Sequence, residues 1–408
     1  MPTRHRFTLI RIERSHFRRS LDGRIRRPMP FLYVDVRNRL MQLITSIMAQ
    51  EVNMQANGMS GHRQSEIELL RIVAMLMVLL LHVNFLTFGE PDAQSVNIAP
   101  INSFLRIFAE HLCIVAVNVY VLISGWFGIR PKTKSVTNLL IQVLSYSIIG
   151  LLVCLLIGKN TLSRVMIYDI MIIGKGYWFV VSYLLLYVLA PVLNAFVEKS
   201  SASQIRILLI SFFTFEFIYG WYAGQGGFGS GYSTLSFIGL YILARYIRMY
   251  GCRIDNYSMT KCWTIYFCIS LFMTTYVYLQ LVILGRVFTT GNYLISYNCP
   301  LVILSSLFLF FAFQKLRITN RFINYWSRSA FAIYLIHCNT HILPYFQGGA
   351  ESIYDSFGLS GILLYVLLVM TACLLIDKIR EFILPIEAIC IRTERMVQRV
   401  SSYFKIKV

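Results

Sequence analysis

Residues 68–85 read ELLRIVAMLMVLLLHVNF, an apolar run with Arg71 near its start and His82 near its end. A bilayer-spanning helix needs about 20 mostly apolar residues, and with its flanks (66–87) the run reaches that length. If it crosses a membrane, Arg71 and His82 stand where charge and polarity are costly and tend to mark pathways or sites. The whole chain supports the crossing. Of its 408 residues, 57% are apolar and only 14% are charged, whereas soluble proteins average about 25% charged. This is the composition of an all-α, polytopic membrane protein.

The net charge of +19 does not point to nucleic acid, because Lys and Arg cluster between the apolar runs and in the two tails. Membrane insertion distributes them in that way. The nine cysteines include no CxxC pair and lie mostly inside apolar segments, which excludes a disulfide framework and a zinc ribbon. Residues 1–62 form an arginine-rich extension whose apolar pieces are too short to span. It has neither the apolar core nor the cleavage site of a signal peptide, and native translation is expected to start at Met54 or Met59. Residues 63–380 make the membrane domain. The tail (381–408), together with the preceding DKIR, alternates apolar and basic residues. It reads either as an amphipathic segment on the anionic inner leaflet or as an ordinary solubilising tail.

Ten runs have the length or near-length of a span: 66–87, 103–127, 136–157, 177–197, 205–221, 233–250, 262–284, 297–314, 328–345 and 359–378. The fifth and ninth are short or interrupted. A further short apolar piece, 165–174, suits the interface. With the N-terminus inside, the inner loops carry Arg130, Lys132 and Lys134, then Lys199 and Arg206, then Arg245, Arg248, Arg253 and Lys261, then Lys315, Arg317, Arg321 and Arg328. Against these stand only Glu198 and Asp255, while the outer loops are sparse in basic residues. The positive-inside rule therefore predicts ten spans with both termini cytoplasmic, in a cell inner (plasma) membrane.

Arg71 and His82 are eleven positions apart, about 16 Å along a helix and within about 20° of one face. Glu68 shares that face and is spaced to pair with Arg71. One stripe thus joins an ion pair near the inner interface to an imidazole deep on the outer side. A bland reading has Arg71 reaching lipid phosphates and His82 bonding a neighbouring helix. The functional reading has a neutral imidazole acting as base or acyl carrier.

The second helix carries Glu110 and His111 at a depth comparable to His82, Asn118 near mid-bilayer, and Ser124 and Gly125 near its inner end. Gly125 allows close backbone approach, for helix packing or for a ligand. Arg130 and Lys132 either fix topology or receive phosphates of a cytoplasmic donor. In the ninth run, His337 and His341 have i, i+4 spacing, which resembles half of a metal site. No third ligand has recognisable spacing, so no metal is expected. Cys338 adjoins His337, but helix neighbours point about 100° apart, which argues against a Cys–His dyad there. Trp178, with Tyr177 and Tyr183, suits an outer aromatic belt. The Gly- and aromatic-rich stretch 220–232 reads as a flexible turn, or as a surface on which a sugar stacks.

Several ordered pieces between about 65 and 345 resemble the membrane-bound acyltransferase family 3, bacterial enzymes that acylate surface glycans. They are the Arg71–His82 pair, the VNVYVLISGWF run ending in Ser-Gly-aromatic, the Trp-led YWFVVSYLLLYVLAPVLN, and SAFAIYLIH with its Tyr-x-x-His. The resemblance implies transfer of an acyl group, usually acetyl, from cytoplasmic acyl-CoA to a hydroxyl of a cell-surface or lipid-linked glycan, with no bound cofactor. It implies His82 as catalytic residue and Arg71 as its support on the donor side, with Ser124, Gly125 and His337 in the family's other motifs. The basic loop here reads GIRPKTKS, where many members carry an Arg-x-x-Arg pair. The competing class is a transporter or flippase in which Arg71, His82 and Glu110 line a pathway, although no repeat relates the two halves of the chain.

Overall fold

The computed structural model describes residues 64–130, 133–156, 177–287 and 294–384. The N-terminal extension, Lys132, the 165–174 piece and the tail beyond 384 lie outside them. All regular structure among the described residues is helical.

Helix α1 is Ser65–Phe88. Short α2 (Ala93–Ile98) is capped by Asp92, whose carboxylate accepts from the Ser95 amide. The Ser95 bonds hold this exposed carboxyl below the usual carboxylate range. Pro100 opens α3 (Pro100–Cys113), and a one-turn break separates it from α4 (Ala116–Phe127). Then follow α5 (Thr133–Leu156), α6 (Trp178–Lys199) and α7 (Ala202–Phe215), which continues as a π-helix over Glu216–Tyr222. The second half comprises α8 (Thr234–Tyr250), α9 (Met259–Leu284), α10 (Pro300–Gln314), α11 (Arg321–Trp326), α12 (Ala330–His337) and α13 (Leu343–Ile383), the last kinked at Gly358.

Among the described residues, seven helical segments are long and apolar enough to cross a membrane, not ten. The expected sixth and eighth spans are helices of 17 and 15 residues, Thr234–Tyr250 and Pro300–Gln314. Gly251, at φ 71°, ends the former, and Pro300 fixes the start of the latter. The ninth departs most, because α12 stops at His337 rather than running to 345. Asn339 causes the stop. Its side-chain oxygen accepts from the His341 amide, while its NH₂ donates to the Tyr146 carbonyl and the Tyr177 hydroxyl. Gly150 of α5 makes room, since a side chain there would overlap the Asn339 amide. His337 and His341 therefore do not share a helix face.

Helix α1 is the centre of the packing, touching α3, α4, α10, α12 and α13, and α8 packs along α4. The outward faces stay apolar, as with Leu152, Val188, Ile207, Phe272 and Leu364. With apolar lipid outside, close van der Waals packing holds such helices together. Gly125 shows how tight it is: a Cβ there would lie 2.6 Å from the Tyr241 carbonyl oxygen and 2.8 Å from the Ala244 Cβ. Its role is helix packing rather than ligand contact. Gly125→Leu is expected to cost about 1–3 kcal/mol or more, read as lost monodisperse protein in detergent chromatography. Undiminished yield would contradict the close approach of α4 and α8.

Candidate active site

His82 on α1 and His337 at the end of α12 are 255 residues apart, yet His82 Nδ1 and His337 Nε2 lie 2.8 Å from each other. The distance is that of a hydrogen bond. The direction of the proton follows from the partners. His337 Nδ1 faces the Ile333 carbonyl oxygen, which only accepts, so Nδ1 carries the hydrogen and the neutral ring presents Nε2 as acceptor. His82 must then donate through Nδ1, which leaves the lone pair on His82 Nε2. His337 is buried and His82 keeps part of its surface open. These contacts orient the pair and leave His82 Nε2 as a hydrogen-bond acceptor.

Cys338 completes the group. Its Sγ lies 3.3 Å from His82 Nδ1 and 3.2 Å from His337 Nε2. The expectation that Cys338 would point away assumed a continuous helix, and α12 ends one residue earlier. The donor atoms of His82, His337 and Cys338 all lie within 4.8 Å of one another, a set able to hold a metal ion. No sequence spacing could show this third ligand, because it comes from a distant helix.

Lower on α1, Arg71 pairs with Glu68 at 3.2 Å, as their spacing predicts. Both line a cavity of 820 Å³, together with Tyr120, Ser124, Tyr183, Phe179, Phe331, Arg328 and Arg380. Such a volume lies within the range of about 300–1,000 Å³ usual for small-molecule sites. The Tyr120 hydroxyl donates to the Arg71 carbonyl at 2.6 Å. Ser124 donates to the Tyr120 carbonyl at 2.9 Å and lies 3.1 Å from the Tyr183 hydroxyl. His82 does not line this cavity. Between the two levels is an aromatic layer, in which the Tyr334 ring lies 5.9 Å from Phe179, 5.8 Å from Phe331 and 6.3 Å from His337.

The remaining predicted residues divide. Glu110 is buried near the His82 end, where its carboxylate accepts from Asn84 at 2.8 Å. Arg106 in turn donates to the Asn84 side chain at 3.1 Å. His111 faces away, toward α9, at 3.0 Å from the Thr274 hydroxyl. Thr274 gives its proton to the Ser270 carbonyl, so His111 is the donor and serves as a helix-to-helix contact. Asn118 donates to the Tyr297 carbonyl at 2.8 Å, and Trp178 stacks on the Tyr297 ring at 5.9 Å. Both belong to an aromatic cluster rather than to the histidine pair. Arg130 is exposed and does not line the cavity, and Lys132 is outside the described residues.

Sequence reasoning missed Asn84, although it stands two positions past His82. It also assigned Asp377 and Arg380 to the start of the surface tail. They are buried in α13, with Asp377 bound by Arg380 at 2.7 Å and by Tyr146 of α5 at 2.6 Å. An ion pair spaced i, i+3 was the available signal.

Residues 64–378 match the acyltransferase domain of acyltransferase family 3. No curated protein and no solved structure matches the chain. The match takes in both histidines, the Arg71–Glu68 pair and all of the cavity lining except Arg380 and Glu381, and with the apolar helices around them it places this chain in acyltransferase family 3 as a multi-pass membrane acyltransferase.

Proposed function

We propose that the protein is an O-acyltransferase that moves an acetyl group from cytoplasmic acyl-CoA to a hydroxyl of a cell-surface or lipid-linked glycan. The observation that carries this reading is the His82–His337 hydrogen bond, which leaves His82 Nε2 as a base. Nε2 takes the proton of the acceptor hydroxyl, and the oxygen attacks the thioester carbonyl. The C–S bond breaks, CoA leaves as thiolate, and the imidazolium proton passes to that thiolate. As His82 becomes charged, its Nδ1–H continues to donate to neutral His337, which steadies the cation.

The donor enters at the Arg71 end, and its acyl arm passes the aromatic layer formed by Phe179, Phe331 and Tyr334. That end of the bundle also holds the basic loops, exemplified by the Arg245–Glu198 pair and by Lys315 donating to the Asp255 carbonyl. We assign it to the cytoplasm of a cell inner membrane, with both termini on that side. The shorter helices α8, α10 and α12 add to the seven long segments to give the even number of crossings that this sidedness requires.

Purified protein in detergent, given acetyl-labelled CoA, is expected to hydrolyse it slowly or become labelled, which a transporter would not do. Surface glycans from cells with and without the gene, compared by NMR, are expected to differ in O-acetyl signals. Absence of both effects would overturn the proposal.

A further inference from the structure

Three arginines line the 820 Å³ cavity: Arg71, Arg328 and Arg380. Their circumstances differ. Arg71 is paired with Glu68. Arg380 is 4% exposed at its side chain, and its Nε donates to Asp377 Oδ1 at 2.7 Å. That oxygen also accepts from Tyr146 at 2.6 Å and from Gln142 at 3.2 Å. Asp377 thus holds the guanidinium by one edge and sits behind it, since Asp377 itself does not line the cavity. The Nη1 of Arg380 is buried with no hydrogen-bond partner, as is Asp377 Oδ2. A buried N–H without an acceptor costs about 1–3 kcal/mol, more on a charged group; Nη2 has Glu381 Oε1 at 4.0 Å, which leaves Nη1 as the donor that still lacks an acceptor. Arg328, on the turn before α12, is exposed and makes no ion pair among the described residues. Glu381 also lines the cavity, and Lys378 binds it at 2.9 Å.

We propose that Arg328 and Arg380 form a phosphate seat, taking the phosphate esters of a nucleotide-bearing acyl donor. A planar guanidinium fork held by one edge suits two-point binding of a phosphate. The proposal rests on the donor entering at this end, and it moves phosphate recognition away from Arg130 and Lys132. A lipid headgroup offers the same phosphate chemistry, so the test separates the two sources.

Binding is measured on full-length protein in neutral phosphatidylcholine nanodiscs, with no acceptor present. The probes are CoA, adenosine 3′,5′-bisphosphate and pantetheine, which lacks phosphate. Arg328→Gln is expected to weaken CoA and the bisphosphate about tenfold, or about 1.4 kcal/mol, and to leave pantetheine unchanged. Arg380→Gln is expected to do the same, and thermal unfolding shows whether that variant is folded. Should it fail to fold, exposed Arg328 carries the test alone. Unchanged CoA affinity in Arg328→Gln, or equal losses for pantetheine, would overturn the seat. It is also overturned as a donor site if, in a parallel set of nanodiscs that include phosphatidylglycerol, Arg328→Gln loses bound phosphatidylglycerol while CoA affinity stays intact. His82→Ala should bind CoA normally, so a failure of the catalytic reading would show as retained transfer in that variant and leave the binding result standing.

Discussion

His82→Ala is expected to abolish acyl transfer while leaving a folded, membrane-inserted protein. Removing a general base costs about 10²–10⁴-fold in rate, and the loss will be measured as O-acetyl incorporation by whole cells and as acetyl-CoA turnover by purified protein. Folding should survive, because His82 keeps part of its surface open and its side chain bonds only the end of α12. His337→Ala should lose less. It takes away the acceptor that fixes the His82 tautomer, not the base itself, so His337 is a positioning residue. Retained activity in His82→Ala would remove His82 from the mechanism.

The second large effect concerns stability. Asp377→Ala leaves the Arg380 guanidinium buried without its carboxylate, and it strips the Tyr146 hydroxyl and Gln142 of their acceptor. Breaking a buried ion pair by removing one partner costs about 3–5 kcal/mol. Thermal unfolding in detergent should show a marked fall in Tm and a lower yield. Asp377→Ala combined with Arg380→Met removes both charges and should recover part of the loss, since the penalty lies in the unpaired charge rather than in the absent pair. An unchanged Tm in Asp377→Ala would mean that the carboxylate does not hold α13 against α5.

Local physics made much of this protein legible in one dimension. Apolar run length found the seven segments long enough to span, because a bilayer demands uninterrupted helices, and it counted three shorter helices with them. Helical periodicity placed Arg71 and His82 on one stripe and paired Arg71 with Glu68, a contact between neighbours on one turn. Ser124, singled out by the Ser-Gly turn, lines the same cavity as Arg71. Periodicity failed where a helix ended. Reasoning about His337, Cys338 and His341 assumed one continuous helix, and the Asn339 turn, secured by Tyr146 and Tyr177 from other helices, breaks it.

By itself, then, the sequence determined an all-helical membrane protein and its family resemblance, and it singled out His82 as a candidate. Tertiary structure alone decided what His82 touches. It set His337 and Cys338 against His82, turned His111 toward α9 instead, and buried Asp377 and Arg380 beside the cavity. The reason is the range of the forces. Helix formation and bilayer crossing are settled within twenty residues, whereas a hydrogen bond between positions 82 and 337 exists only after the helices between them have packed.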